Sequence, residues 1–228
     1  MRPKILDQLF KPIETTRGIG PRLKVRLKYL IGENIVDLLW HLPNNIIDRS
    51  YTPTISNAQN DRIVTIEVTV LKHNPSRRRG LPYKVKCIDE TGEIDLVWFN
   101  GRKQYLEDLL PIGENFIVSG KLEAYKEKKQ IIHPQHIVSS TKSKNLPSVE
   151  PVYSLTAGLN MKSFIKLSNQ VLQSLPNLNE WIDKILIEKY KFTSWKDAVE
   201  KLHNPDIDDT YGEKNFFRRR LAFDELFA

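Results

Sequence analysis

Two short basic runs carry the chemistry that is easiest to name in this sequence. Arg77-Arg78-Arg79-Gly80 and Lys126-Glu127-Lys128-Lys129 each crowd cations into a few residues, and such clusters suit the phosphates of a polyanion. A large ring, Phe99, lies in the run Gly92-Glu93-Ile94-Asp95-Leu96-Val97-Trp98-Phe99-Asn100, which reads as one strand with bulky groups on both faces. Ile94, Leu96 and Trp98 point one way along it, and Val97 and Phe99 the other, beside Asp95. An aromatic on the outer face either stacks on a nucleic-acid base or lies under a covering helix, and the spacing leaves both open. Arg102, Lys103 and Tyr105 follow closely. Gly18-Ile19-Gly20-Pro21 is a further candidate, because free N–H groups of Gly18 and Gly20 ahead of a helix can hold a phosphate; a plain turn is the competing reading.

Other chemistries lack their residues. No G-x-x-x-x-G-K-[ST] loop occurs, and Ser119-Gly120-Lys121 has no glycine at the required upstream spacing. His133 and His136 are three apart, which on a strand sends their rings to opposite faces, so no metal site is expected. Cys87 is the single cysteine and falls in the alternation Tyr83, Val85, Cys87, the pattern of a core residue rather than a nucleophile. No catalytic residues stand out, which disfavours a phosphoryl- or nucleotidyl-transfer enzyme.

The elements that would position these groups divide into three. Residues 1–60 read as a helical segment, with Val25, Leu27, Leu30 and Ile31 on one side of a helix bearing Arg22, Lys24, Arg26 and Lys28, and a second helix ending before Pro43. Over 61–140 the period changes to two: strands at Val64–Val70, Tyr83–Ile88 and Gly92–Asn100, a short helix at Arg102–Leu110, then strands at Asn115–Tyr125 and Gln130–Val138. Three strands, a helix and two strands is the order of the five-stranded OB-fold barrel, which binds oligonucleotides through its sheet and its first and fourth loops. Both basic runs fall in those loops. Residues 141–228 read as a polar linker and a helical segment, so the fold class is α+β, a barrel between helical flanks.

The 228 residues are 40% apolar with a net charge of +7, and residues 1–60, 61–140 and 141–228 contribute +4, +2 and +1. Without a basic tail, a nucleic-acid surface must come from charges clustered in space. There is no run of eighteen apolar residues and no signal-peptide pattern, which points to the cytoplasm and away from a membrane.

Taken in order, Gly18-Ile19-Gly20-Pro21, Val36-Asp37-Leu38-Leu39, His41-Leu42-Pro43, Asp48-Arg49, Trp98-Phe99-Asn100, Val118-Ser119-Gly120-Lys121, His133-Pro134, Pro151-Val152-Tyr153, Leu202-His203-Asn204-Pro205 and Arg219-Arg220-Leu221-Ala222-Phe223-Asp224-Glu225-Leu226 resemble the amino-terminal wedge region of the RecG family of ATP-dependent DNA helicases. The resemblance implies a monomeric module that recognises branched DNA, such as a stalled fork or Holliday junction, and splits its arms. It also implies a helicase motor in cis that uses ATP and Mg, and places the wedge aromatics at Phe99 and Tyr105. Asn45-Ile46 stand where the family tends to carry an arginine and a tyrosine. The chain stops where the family's helix passes toward the motor, so it is expected to be catalytically silent alone. The alternative is a structural module that docks the motor with little DNA contact of its own.

Overall fold

Alternating apolar residues make strands and 3.6-periodic ones make helices, in the computed structural model as in the sequence pattern; it describes residues 3–76, 81–141, 146–207 and 215–227. In chain order the elements are α1 (Pro21–Leu30), α2 (Ile35–Trp40), β1 (Asn45–Asp48), β2 (Ile63–Asn74), β3 (Tyr83–Ile88), β4 (Glu93–Trp98), α3 (Lys103–Leu109), β5 (Asn115–Tyr125), β6 (Lys128–Ile132), β7 (His136–Ser139), β8 (Val149–Val152), α4 (Met161–Leu172), α5 (Lys184–Tyr190), α6 (Trp195–His203) and α7 (Phe216–Phe227). The chain forms two compact units: residues 48–149, and a second made of 1–47 together with 150–228.

In the first unit β2 pairs with both β3 and β5, β3 with β4, β4 with β6 in parallel, and β6 with β5, so five strands close a ring. This is the expected OB-type barrel. Its interior is filled by inward residues of each strand, among them Val64, Val85, Leu96 and Leu122, and by Leu106 and Leu110 from α3 and its end. Cys87 is buried in this core, and burial first, with Asp95 nearby, pushes its thiol up to about 12, which keeps it protonated and inert.

The strand expected over Gln130–Val138 is two strands. His133 takes a left-handed φ of 46° and Pro134 has no N–H, so β6 stops at Ile132 and β7 adds to β5 instead, Ile117 opposite Val138. The central strand ends at Trp98, with Phe99 and Asn100 in a turn where Asn100 has φ 63°.

The helical unit draws its core from both ends of the chain. Leu27, Leu38 and Leu39 of α1 and α2 share one cluster with Phe164, Val171, Leu202 and Leu221. α2 starts in a capping box in which the Asn34 N–H donates to Asp37 Oδ2 at 2.8 Å. The short strands β1 and β8, read from sequence as loop and linker, pair with each other. No helix among the described residues is long and apolar enough to cross a membrane.

Candidate nucleic-acid interface

Strand directions sort the candidate residues of the barrel into two groups. β3 is antiparallel to β4 with Tyr83 opposite Trp98, so the start of β3, the end of β4 and the entry to α3 share one edge. Phe99, Arg102, Lys103 and Tyr105 lie on this edge and all are exposed, Phe99 at 49% and Tyr105 at 62%. Phe99 is thus not buried beneath a helix. Its neighbour is His133, whose ring centroid is 5.8 Å away at a 46° tilt. Packing fixes the turn that carries Phe99: a Cβ on Gly101 would lie 2.7 Å from Leu106 Cδ1, so the strand-to-helix passage admits only glycine without rearrangement. His73 ties the edge together, one ring nitrogen 3.0 Å from the Tyr83 hydroxyl and the other 2.7 Å from the Leu110 carbonyl. Arg77, Arg78 and Arg79 lie outside the described residues, in the connection that leaves β2 at Asn74 and reaches β3 at Tyr83.

The second group stands at the other end of the same strands, because β6 runs parallel to β4 with Asp95 opposite Gln130 and the β5–β6 hairpin precedes Lys128. Six residues of β4 put the two ends about 20 Å apart at roughly 3.3 Å per residue. The three lysines of this hairpin are not equivalent. Lys126 is exposed with Nζ 5.4 Å from the Tyr125 ring centroid, and Lys128 is exposed. Lys129 instead donates from Nζ to the carbonyls of Ile55 and Ser56 at 2.5 and 2.7 Å, pinning the preceding loop to the barrel. Tyr125, 54% exposed, was not singled out from sequence; an aromatic directly before a basic turn is the signal that could have found it.

Between the two ends the outward face of β3 and β4 neutralises itself. Lys84 Nζ lies 3.3 Å from Asp95 Oδ2, and Lys86 Nζ lies 2.7 Å from Glu93 Oε2. The hydrogen bond and charge of Lys86 hold the Glu93 carboxyl below its usual range. A continuous track for a single strand needs uncompensated cations interleaved with stacking rings, and this face offers neither along its middle. Its exposed aromatics sit at the ends, which suits contact at a point rather than along a strand. Among the described residues no group of three or more His, Cys, Asp or Glu could hold a metal ion.

In the helical unit, Gly18 needs its φ of 93° for the turn before α1, and Gly20 caps that helix without side-chain help. Lys24 pairs with Glu14, Lys28 with Glu33, and Arg26 donates to the Gly158 carbonyl, so three of the four cations of α1 have partners within the unit. The Arg218-Arg219-Arg220 run is likewise divided. Arg220 is buried and bonded to both Glu180 oxygens, to Asp224 and to the Thr193 carbonyl, Arg218 donates to the Pro43 carbonyl, and only Arg219 is exposed. Three of the sequence motifs meet around His203, where Nδ1 lies 2.9 Å from the Tyr153 hydroxyl and 3.1 Å from Ser168 Oγ, and Nε2 lies 3.0 Å from the Leu39 carbonyl. Arg49, from a fourth motif, is buried and donates to Ser119 Oγ and Gln135 Oε1. These motifs build the framework rather than a surface.

The chain is 26% identical to the ATP-dependent DNA helicase RecG of Aquifex aeolicus over 98% of its own length and 30% of the relative's. It is 28% identical to that of Haemophilus influenzae over its full length and 33% of the relative's, so it spans about a third of these curated relatives. A solved structure of RecG bound to a three-way DNA junction superposes on 96% of this chain and 30% of that one with a TM-score of 0.78 at 26% identity. The family model for the RecG wedge domain matches residues 12–175, all of the barrel and about half of the helical unit, and by that match the chain belongs to the RecG wedge domain family.

Proposed function

We propose that this chain is a wedge that recognises branched DNA by placing the Phe99 ring against an unpaired base where the arms separate. The observation that carries this reading is the position of Phe99: an exposed ring in a turn closed by the tightly packed Gly101, at one end of a barrel whose strand face is ion-paired. Arg102 and Lys103 stand beside it to meet phosphates, and Lys126 and Lys128, about 20 Å away by strand length, reach a different stretch of backbone. Arg77, Arg78 and Arg79 are proposed as further phosphate contacts from the first loop, with Tyr105 as a second ring. The module acts as a monomer in the cytoplasm, within a longer helicase whose motor, in cis, uses ATP and Mg to move a fork or Holliday junction. The Ser119-Gly120-Lys121 run does not fit a nucleotide phosphate: Gly120 pairs within the sheet opposite Val64, Ser119 Oγ accepts from Arg49, and Lys121 pairs with Asp61 at 2.8 Å.

A second reading, a docking module for the motor, is favoured by one feature, the exposed Phe216, Leu226 and Phe227 of α7. One variant separates the two. Under the wedge reading Phe99→Ala lowers fork affinity by about 1–3 kcal/mol and leaves linear duplex binding unchanged, since paired bases offer no free face. Half-exposed, the ring costs well under the roughly 3–5 kcal/mol of folding energy lost with a buried phenylalanine, which thermal melting checks. Equal affinity of the unmodified chain for fork and duplex would instead support docking.

A further inference from the structure

Parallel pairing of β4 and β6 brings the exits of both strands to one edge, whereas a hairpin would send them to opposite edges. Val97 pairs with Ile132 at the end of the ladder, and the His133 N–H then donates to the Val97 carbonyl at 2.8 Å. In return the Phe99 N–H donates to His133 Nε2, a long bond of 3.4 Å that needs a lone pair on that nitrogen. Both exits turn at once through left-handed residues, His133 itself and Asn100. The result is two exposed rings, 5.8 Å apart and tilted by 46°, so they form an open notch rather than stacking on each other.

We infer that His133 is a second recognition residue for unpaired bases, positioning Phe99 and supplying the other wall of the notch. This rests on the reading that Phe99 meets a base at the branch. A phenyl ring at the tip of a turn has free rotamers to lose on binding; the imidazole beside it limits them and, tilted by 46°, leaves the mouth of the notch open to a base that touches both rings. The left-handed backbone explains why the ring can stand there, because a continuing strand would carry His133 along β6 rather than out beside Phe99. The ligand is an unpaired nucleobase, read by stacking and without sequence preference, since every base has a π-face.

The test compares the unmodified chain, Phe99→Ala and His133→Asn. Asparagine tolerates the left-handed backbone and keeps an acceptor but has no ring. The probes are a fork with 2-aminopurine at the first unpaired position of each arm in turn, and a linear duplex of the same sequence. The expected result is quenching of 2-aminopurine by the unmodified chain and its loss in Phe99→Ala. His133→Asn should weaken fork binding by roughly two- to tenfold, the range of one aromatic pair, with reduced quenching and unchanged duplex affinity and melting temperature. If Phe99→Ala loses fork binding and quenching while His133→Asn keeps both, the inference fails and the wedge reading stands. If His133→Asn lowers melting temperature and binds fork and duplex equally less, His133 is only structural and the inference fails. If Phe99→Ala has no effect, the wedge reading fails and takes the notch with it.

Discussion

Burial holds His203 neutral, and a proton there should destabilise the helical unit. The residue is 1% exposed, and desolvation first, opposed by its hydrogen bond to the Leu39 carbonyl and aided by nearby His41, lowers its pKa from 6.5 to about 4. With Nδ1 facing two hydroxyls and Nε2 a carbonyl, a neutral ring donates from Nε2 and accepts at Nδ1. The unfolded chain takes up a proton near 6.5 and the folded one resists until about 4, so stability is whole above pH 6.5 and falls as pH drops through that window. At about 1.4 kcal/mol per pH unit the loss amounts to about 3 kcal/mol. The assay is urea unfolding between pH 4 and 7.5 of the unmodified chain and His203→Gln. His41, also shifted down by burial, and the lowered carboxylates of Asp48 and Glu180 are present in both, so the difference isolates one ring. A difference that stays flat from pH 7 to 4.5, or a folded-state proton resonance of His203 titrating near 6.5, would refute the reasoning.

The adjacent lysines of the β5–β6 hairpin should behave oppositely. Lys129→Met is expected to cost about 1.5–3 kcal/mol in urea unfolding by taking a charged donor from two carbonyls. Lys128→Ala should leave stability unchanged and flatten the salt dependence of DNA binding by about one unit of slope, which binding at several salt concentrations measures. Arg220→Met should lose about 3–5 kcal/mol of stability, because Glu180 and Asp224 keep their charges without the guanidinium between them; a loss under 1 kcal/mol would show the network to be dispensable.

The barrel was legible because period-two alternation over five or more residues is hard to mistake, and the strand–helix–strand order left one closed topology. β1 and β8 were not, since Asn45-Ile46-Ile47-Asp48 and a strand containing Pro151 are too short and polar to signal pairing before the partner is known. His133 looked like mid-strand because the left-handed turn shows only as His-Pro, a weak break in the pattern. Lys129 and Lys128 cannot be told apart in a string of lysines; the fold decides which reaches the Ile55 carbonyl. The ion pairs on β3 and β4 depend on register, which sets Lys86 opposite Asp95 and brings Glu93 within reach, and register is not written in either strand alone.

A core shared by the two ends of the chain also has an order in time. Leu27 and Leu38 emerge from the ribosome more than a hundred residues before Phe164, the nearest sequence partner that α4 supplies to their cluster. At about 5–20 residues per second they wait for several seconds with apolar surface uncovered. Residues 48–149 hold every strand of the barrel and its own buried cluster, so that part can close first and draw the separated ends nearer. The inserted barrel then serves the helices as a folded loop, and a defect in it would strand the amino-terminal helices during synthesis although, among the described residues, they share no core with it.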